Sequence, residues 1–226
     1  MLAIGFILGL KHATEADHVT AVATLVTGQR SLSKIVRQGI AWGLGHSLTL
    51  LSIGVLVLAL GHTLPSWLAQ ALECAVGAML MLLGADVLRR VLKDRVHAHS
   101  HQESALRSGG SFLRSSTSSP VSAHEHMSTS PFRALVVGMV HGMAGSAALI
   151  VLSLGAMQSV GRALFYIVTF GIGSVAGMAM LSAAIAYPLR LSAKQLGERH
   201  QVITALVGAS SCALGAIVVY RIAIAG

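Results

Sequence analysis

Charge is scarce in this chain. Asp, Glu, Lys and Arg make up 11% of its 226 residues, where an ordinary soluble domain carries charge on about a quarter of its positions. With 54% hydrophobic residues, that shortage argues against a soluble fold. Aromatic residues are also few, at 4%. The formal charge of +8 therefore does not read as a nucleic-acid surface: the basic residues lie between apolar stretches, without stacking aromatics among them. Cysteine is limited to Cys74 and Cys212, both inside apolar stretches and without C-x-x-C spacing, so small buried hydrophobes are their default role. The motifs H-E-x-x-H, G-x-S-x-G and the P-loop lysine are missing too, and with them any sign of an enzyme.

What the chain has is long apolar runs. Six stand out, at about 2–28, 38–61, 67–88, 132–157, 161–188 and 201–224. Each is long enough to cross a hydrocarbon core of about 30 Å, which takes about 20 residues in a helix. Helices follow because lipid offers backbone N–H and C=O groups no partner, and the strict alternation of a membrane β-barrel is missing. The expected fold is an all-α membrane protein of six transmembrane helices. MLAIGFILGLK lacks a positive n-region and a cleavage-like site, so it reads as a retained first helix.

The basic residues orient this arrangement. Arg30, Lys34 and Arg37 fall in the first connection, a group from Arg89 to Arg133 in the third, and Arg190, Lys194 and Arg199 in the fifth. These three connections should be cytoplasmic, with both termini outside and the inner membrane as the location. Residues 91–131, with the run SGGSFLRSSTSSP, read as a flexible linker between two three-helix units at 1–90 and 132–226.

The two units resemble each other. AVGAMLMLLGADVLRRV in the third segment matches LVGASSCALGAIVVYRI in the sixth. Gly9 with His12 matches Gly138 with His141, and WGLGHS from Trp42 matches FGIGS from Phe170, at nearly the same offset. Three helices per half put the second half in the opposite orientation. The expectation is a 3+3 inverted repeat, with a site between the halves near the midplane.

The chemistry is concentrated in GLKHATEADHVTAVATLV of the first segment, where His12, Glu15, Asp17 and His18 interrupt an apolar span. Ionisable groups at that depth are costly unless they face a cavity or one another. Imidazole and carboxylate together suit divalent first-row metals, and the lack of a thiolate cluster argues against a soft-metal site. On an ideal helix His12, Glu15 and His18 spread over about 120° while Asp17 points away. Either the helix is unwound here, or Asp17 orients His18 or a neighbouring helix. The competing role is a buried polar cluster that ties helices together, with Lys11 and the histidines satisfying the carboxylates.

His46 and His141 are the other membrane-embedded histidines, each flanked by small residues. These either serve close helix packing alone or bring the two imidazoles to the first-segment site. The candidate metal ligands are thus His12, Asp17, His18, His46, Glu15 and His141. Glu73 and Asp86 are not counted; Asp86, beside Arg89 and Arg90, reads as a helix-end ion pair. The tracts HAHSH at 97–101 and HEH at 124–126 fit loose metal buffering or a solvated linker.

HATEADH, preceded by GLK and followed by VTAVATLV, resembles the signature of the nickel/cobalt transporter (NiCoT) family. GLGHSLTLL resembles that family's second histidine motif, and HGMAGSAAL at 141–149 the corresponding segment of its short, urease-accessory-like bacterial members. Typical members have eight segments where six are read here. The resemblance implies metal selection by His12, Asp17 and His18 with a contribution from His46, and secondary transport without an ATP-hydrolysing domain. The expected function is a permease for a divalent metal ion, nickel or cobalt, carried as substrate with no prosthetic group. Its expected partners are the ion, the bilayer and a metallochaperone or accessory subunit. Neutral imidazole is the competent ligand, so binding should weaken below about pH 6. The alternatives are a permease for another small solute with histidines in proton coupling, a membrane thiol-redox protein using Cys74 and Cys212, and a non-transporting accessory subunit.

Overall fold

A computed structural model describes residues 2–27, 29, 31–60, 65–107, 130–143, 159–195 and 198–225. They form seven helices: α1 (Leu2–His12), α2 (Ala16–Val26), α3 (Leu32–Leu60), α4 (Ser66–Arg107), α5 (Pro131–Gly142), α6 (Val160–Gln195) and α7 (Glu198–Ala225). Four spans within α3, α4, α6 and α7 are long and apolar enough to cross a membrane, with mean hydropathy from 1.7 to 2.2. Large apolar side chains such as Leu48, Leu82, Ile172 and Leu206 point outward, as they do where lipid is the solvent. Exposed Trp67 and Tyr220 lie at one end of the bundle, and exposed Phe132 and Tyr187 at the other, the placement of interfacial aromatic belts. The protein is a multi-pass helical membrane protein.

Two sequence expectations change. The first segment is two short helices instead of one. The linker expected over 91–131 starts later, because α4 continues as helix to Arg107; this places the backbone of 97–101 on α4. Of the fourth segment, α5 covers 131–142, while 144–157 lies outside the described residues, as does HEH at 124–126.

Packing follows small residues, which let backbones approach in the absence of a hydrophobic drive between helices. Helix α1 lies on α6, with Gly9 against the Phe170 carbonyl, Gly173 against the Phe6 carbonyl and Gly177 against Ala13. Helix α5 lies on α3 in the same way: Gly138 meets the Trp42 carbonyl, Gly45 the Leu135 carbonyl, and Gly142 Thr49. Any side chain at Gly138 would collide with that carbonyl oxygen. Each contact of the first pair reappears in the second with its residues displaced by 128 or 129 positions. Helices α4 and α7 pair antiparallel, Gly77 against Gly215 and Gly84 against Gly208. These contacts exchange under a displacement of 131 positions, the offset of the VGA and LGA matches. At their crossing Ser211 Oγ donates to the Leu80 carbonyl at 2.8 Å and Cys212 Sγ to that of Met81 at 3.4 Å.

At the end of the bundle shared by Phe132, Arg90 and Arg133 both reach Asp86 Oδ2, at 2.6 and 3.2 Å. The ion pair read from the sequence at a helix end therefore lies within α4, which runs on to Arg107, and gains a second arginine that links α4 to α5.

Candidate metal centre

The centre is built around the break between α1 and α2. At about 1.5 Å per residue, the eleven residues of α1 rise about 16 Å, roughly half of a 30 Å hydrocarbon core. Neither Pro nor Gly breaks the chain here. Thr14 does so by turning its hydroxyl onto the Lys11 carbonyl at 2.6 Å, while Thr14 and Glu15 make backbone bonds three residues back, to Lys11 and His12. Glu15 then adopts extended backbone and caps α2, which begins at Ala16. The new helix start supplies free N–H groups and a positive dipole end. Asp17 uses both, its Oδ1 accepting the backbone N–H of His18 at 2.9 Å.

Four imidazoles converge on this break. His12, His18, His46 and His141 are all buried, His46 completely. The His18 ring lies 4.4 Å from that of His12, 5.1 Å from His46 and 4.3 Å from His141, centroid to centroid. His12 Nε2 and His46 Nε2 are 3.2 Å apart. His12 Nδ1 contacts Glu15 Oε1 at 3.0 Å, His18 Nδ1 contacts Asp17 Oδ1 at 3.0 Å, and His141 Nε2 contacts Asp17 Oδ2 at 3.1 Å. The carboxylates form the rim: Asp17 is 33% exposed and Glu15 50%. Ionised groups within an apolar bundle are costly unless they find partners or solvent, and here each carboxylate contacts an imidazole while keeping part of its surface exposed.

The structure thus brings all six sequence candidates together: the helix is broken after His12, and Asp17 Oδ1 contacts both the backbone N–H and Nδ1 of His18. Ligand atoms of His12, His18 and His46 lie within 4.8 Å of one another, and so do those of Asp17, His18 and His141. Glu15 stands behind His12 as a carboxylate fixing an imidazole through its other nitrogen. Exposed Glu73 is not part of the centre.

The imidazoles are not fully satisfied. His18 Nε2, His46 Nδ1 and His141 Nδ1 are buried with no hydrogen-bond partner, and each such orphan costs about 1–3 kcal/mol. Two sets of three ligand-type atoms held within 4.8 Å of one another could each hold a metal ion.

Sequence reasoning missed three neighbours. Trp42 lies with its ring 5.5 Å from both His18 and His141, Phe170 lies 5.4 Å from His12, and Ser174 is fully buried with its hydroxyl unpartnered. Trp42 and Phe170 open the matched stretches WGLGHS and FGIGS, and Ser174 occupies the position in the second stretch that His46 has in the first. The repeat carried that signal.

The fold and the centre together define a polytopic membrane protein with a histidine and carboxylate cluster at a broken helix. The chain is 31% identical to the urease accessory protein UreH of Bacillus sp. (strain TB-90) over 225 residues, which covers 99% of this chain and 92% of that relative. It belongs to the nickel/cobalt transporter (NiCoT) family, alongside its short urease-accessory-like bacterial members. No family model matches the chain, and no solved structure matches it.

Proposed function

We propose that this protein is an inner-membrane permease that carries a divalent transition-metal ion, nickel or cobalt, by secondary transport. The observation that carries the reading is the set of four buried imidazoles with three unpaired ring nitrogens beneath an exposed carboxylate rim. Imidazole with a carboxylate suits nickel, cobalt and zinc; family membership and the urease-accessory relative favour nickel. Neutral imidazoles replace part of the hydration shell of the ion, and Glu15 and Asp17 attract it at the exposed rim. The ion is cargo, not a resident cofactor, and no catalytic step is assigned.

The exchanged contacts of α1–α6 with α5–α3, and those within α4–α7, support a 3+3 inverted repeat with six crossings, α1 and α2 together making the first. Alternating access then moves one repeat against the other around the centre. The excess of Lys and Arg in the first, third and fifth connections supports termini on the outer side. An accessory subunit or metallochaperone on the cytoplasmic side is the partner this reading expects. Nothing in the geometry favours proton coupling for another solute. Cys212 serves the α4–α7 contact through its bond to Met81, which gives a thiol-redox role no support.

Cellular nickel, cobalt, zinc and iron, measured with and without expression, test the proposal. Nickel or cobalt content should change severalfold, its sign giving the direction, and His12→Ala or His18→Ala should abolish the change. Unchanged metal content together with altered uptake of another solute would overturn it.

A further inference from the structure

The two ligand triads share one residue. His12, His18 and His46 are all buried, whereas Asp17, His18 and His141 include a residue that is one-third exposed. The second triad therefore includes an exposed ligand and the first does not, although half-exposed Glu15 contacts His12 of the first. His18 stands between them, its ring about equally close to those of His12 and His141. Its two nitrogens are used differently: Nδ1 faces Asp17 and His141, at 3.0 and 3.4 Å, while Nε2 has no hydrogen-bond partner.

A neutral imidazole has one lone pair for a metal, because its other nitrogen carries the proton. With Nδ1–H donated to Asp17, His18 offers its lone pair at Nε2. If the proton resides on Nε2, the lone pair is at Nδ1. The ring can serve one triad or the other, never both.

We propose that the centre is a two-station relay, in which the cargo ion is held first by Asp17, His18 and His141 at the rim and then by His12, His18 and His46 in depth. His18 passes the ion between them. This inference rests on the proposed transport of a divalent metal. The ring carries one proton before and after the transfer: a water from the ion's hydration shell takes the Nε2 proton as the ion reaches that nitrogen, and a proton returns to Nδ1, hydrogen-bonded to Asp17, as the ion leaves it. Asp17 sets the order of events: it is a ligand only at the rim and becomes the hydrogen-bond partner of His18 Nδ1 once the ion has moved inward. The five ligating residues of the two stations then bind one ion per chain and not two.

Cobalt(II) binding to the purified full chain in lipid nanodiscs, read by its visible absorption and by stoichiometry, tests the relay when combined with Co2+ flux in proteoliposomes. The wild type should bind one Co2+. His46→Ala leaves the rim triad and His141→Ala the deep triad, so each should still bind one Co2+ within about tenfold of the wild-type affinity, but with distinct spectra. Each should lose at least tenfold in flux. The double variant should lose binding by about 100-fold or more, at the upper end of the range seen when ligand-supporting partners are removed. His46→Asn and His141→Asn, which keep a buried polar side chain, carry the same expectations where the alanine variants do not purify.

Two ions bound per wild-type chain, abolition of binding by either single variant, identical spectra for both, or full flux in either would overturn the relay while leaving metal transport standing. A wild-type chain that binds neither Co2+ nor Ni2+ would instead remove the transport reading beneath it.

Discussion

The α4–α7 pair and the α1–α2 break use the same packing device to opposite ends. Both rest on small residues that let backbones touch, and both bury polar groups within an apolar bundle. At the α4–α7 crossing two polar atoms are satisfied by main chain, Ser211 Oγ on the Leu80 carbonyl and Cys212 Sγ on that of Met81, whereas Thr204 Oγ1 further along α7 is buried without a partner. At the break, four imidazoles are packed together and three ring nitrogens stay unpaired. Burying a polar group with its partner makes a strut. Burying several without partners, at metal-ligand spacing and beside exposed carboxylates, makes the site proposed as a receptor.

Substitutions that cross this divide should separate binding from stability. The largest effect belongs to His18, the residue common to both triads: His18→Ala should reduce the nickel affinity of the folded fraction by 100-fold or more in an equilibrium titration, a loss that the near-isosteric His18→Asn, which fills more of the buried site, should share. Asp17→Asn keeps the shape but loses the charge and one acceptor for the paired histidines. It should weaken nickel binding by about 10- to 100-fold, as loss of a partner that orients a ligand does.

On the other side of the comparison, Gly84→Leu must displace the Gly208 carbonyl and Cys212 Sγ. It should destabilise the protein by about 1–3 kcal/mol, the usual range for overpacking. That loss should appear as a lower midpoint of thermal unfolding in detergent, while the affinity of the folded fraction stays at the wild-type value. The smallest effect is expected of Ser211→Ala, where one side-chain hydrogen bond between membrane helices is worth about 0.6 kcal/mol; transport per folded molecule should not change. If Gly84→Leu lowered affinity as strongly as Asp17→Asn, the separation of strut from receptor would fail.

Much of the centre was legible before any coordinates. His12, Glu15, Asp17 and His18 stand out because ionisable groups in an apolar run have few other reasons to be there, and one smooth helix could not aim all four at one point. The break resolves that conflict. Its position was hidden, because Thr14 and Glu15 make it through local hydrogen bonds without Pro or Gly. His46 and His141 were ambiguous in sequence: glycine neighbours serve close packing and ligand delivery equally, and only the three-dimensional register shows that here they do both. The roles of Trp42, Phe170 and Ser174 could not be read from residue type, since an aromatic or serine in a membrane helix is commonplace. The continuation of α4 to Arg107 was obscured because its polar, basic sequence lacks the apolar signal by which the spans were found.

The central claim is that the buried imidazoles at the helix break pass a divalent metal ion across the bilayer. Nickel entry into proteoliposomes containing the wild-type chain, followed by a trapped metal-sensitive dye and compared with the His12→Ala/His18→Ala variant at equal protein content, tests it most directly. The account predicts saturable nickel entry with the wild type and only the background leak of empty liposomes with the variant. Equal entry through both proteins, or none above background through the wild type in either membrane orientation, would contradict it.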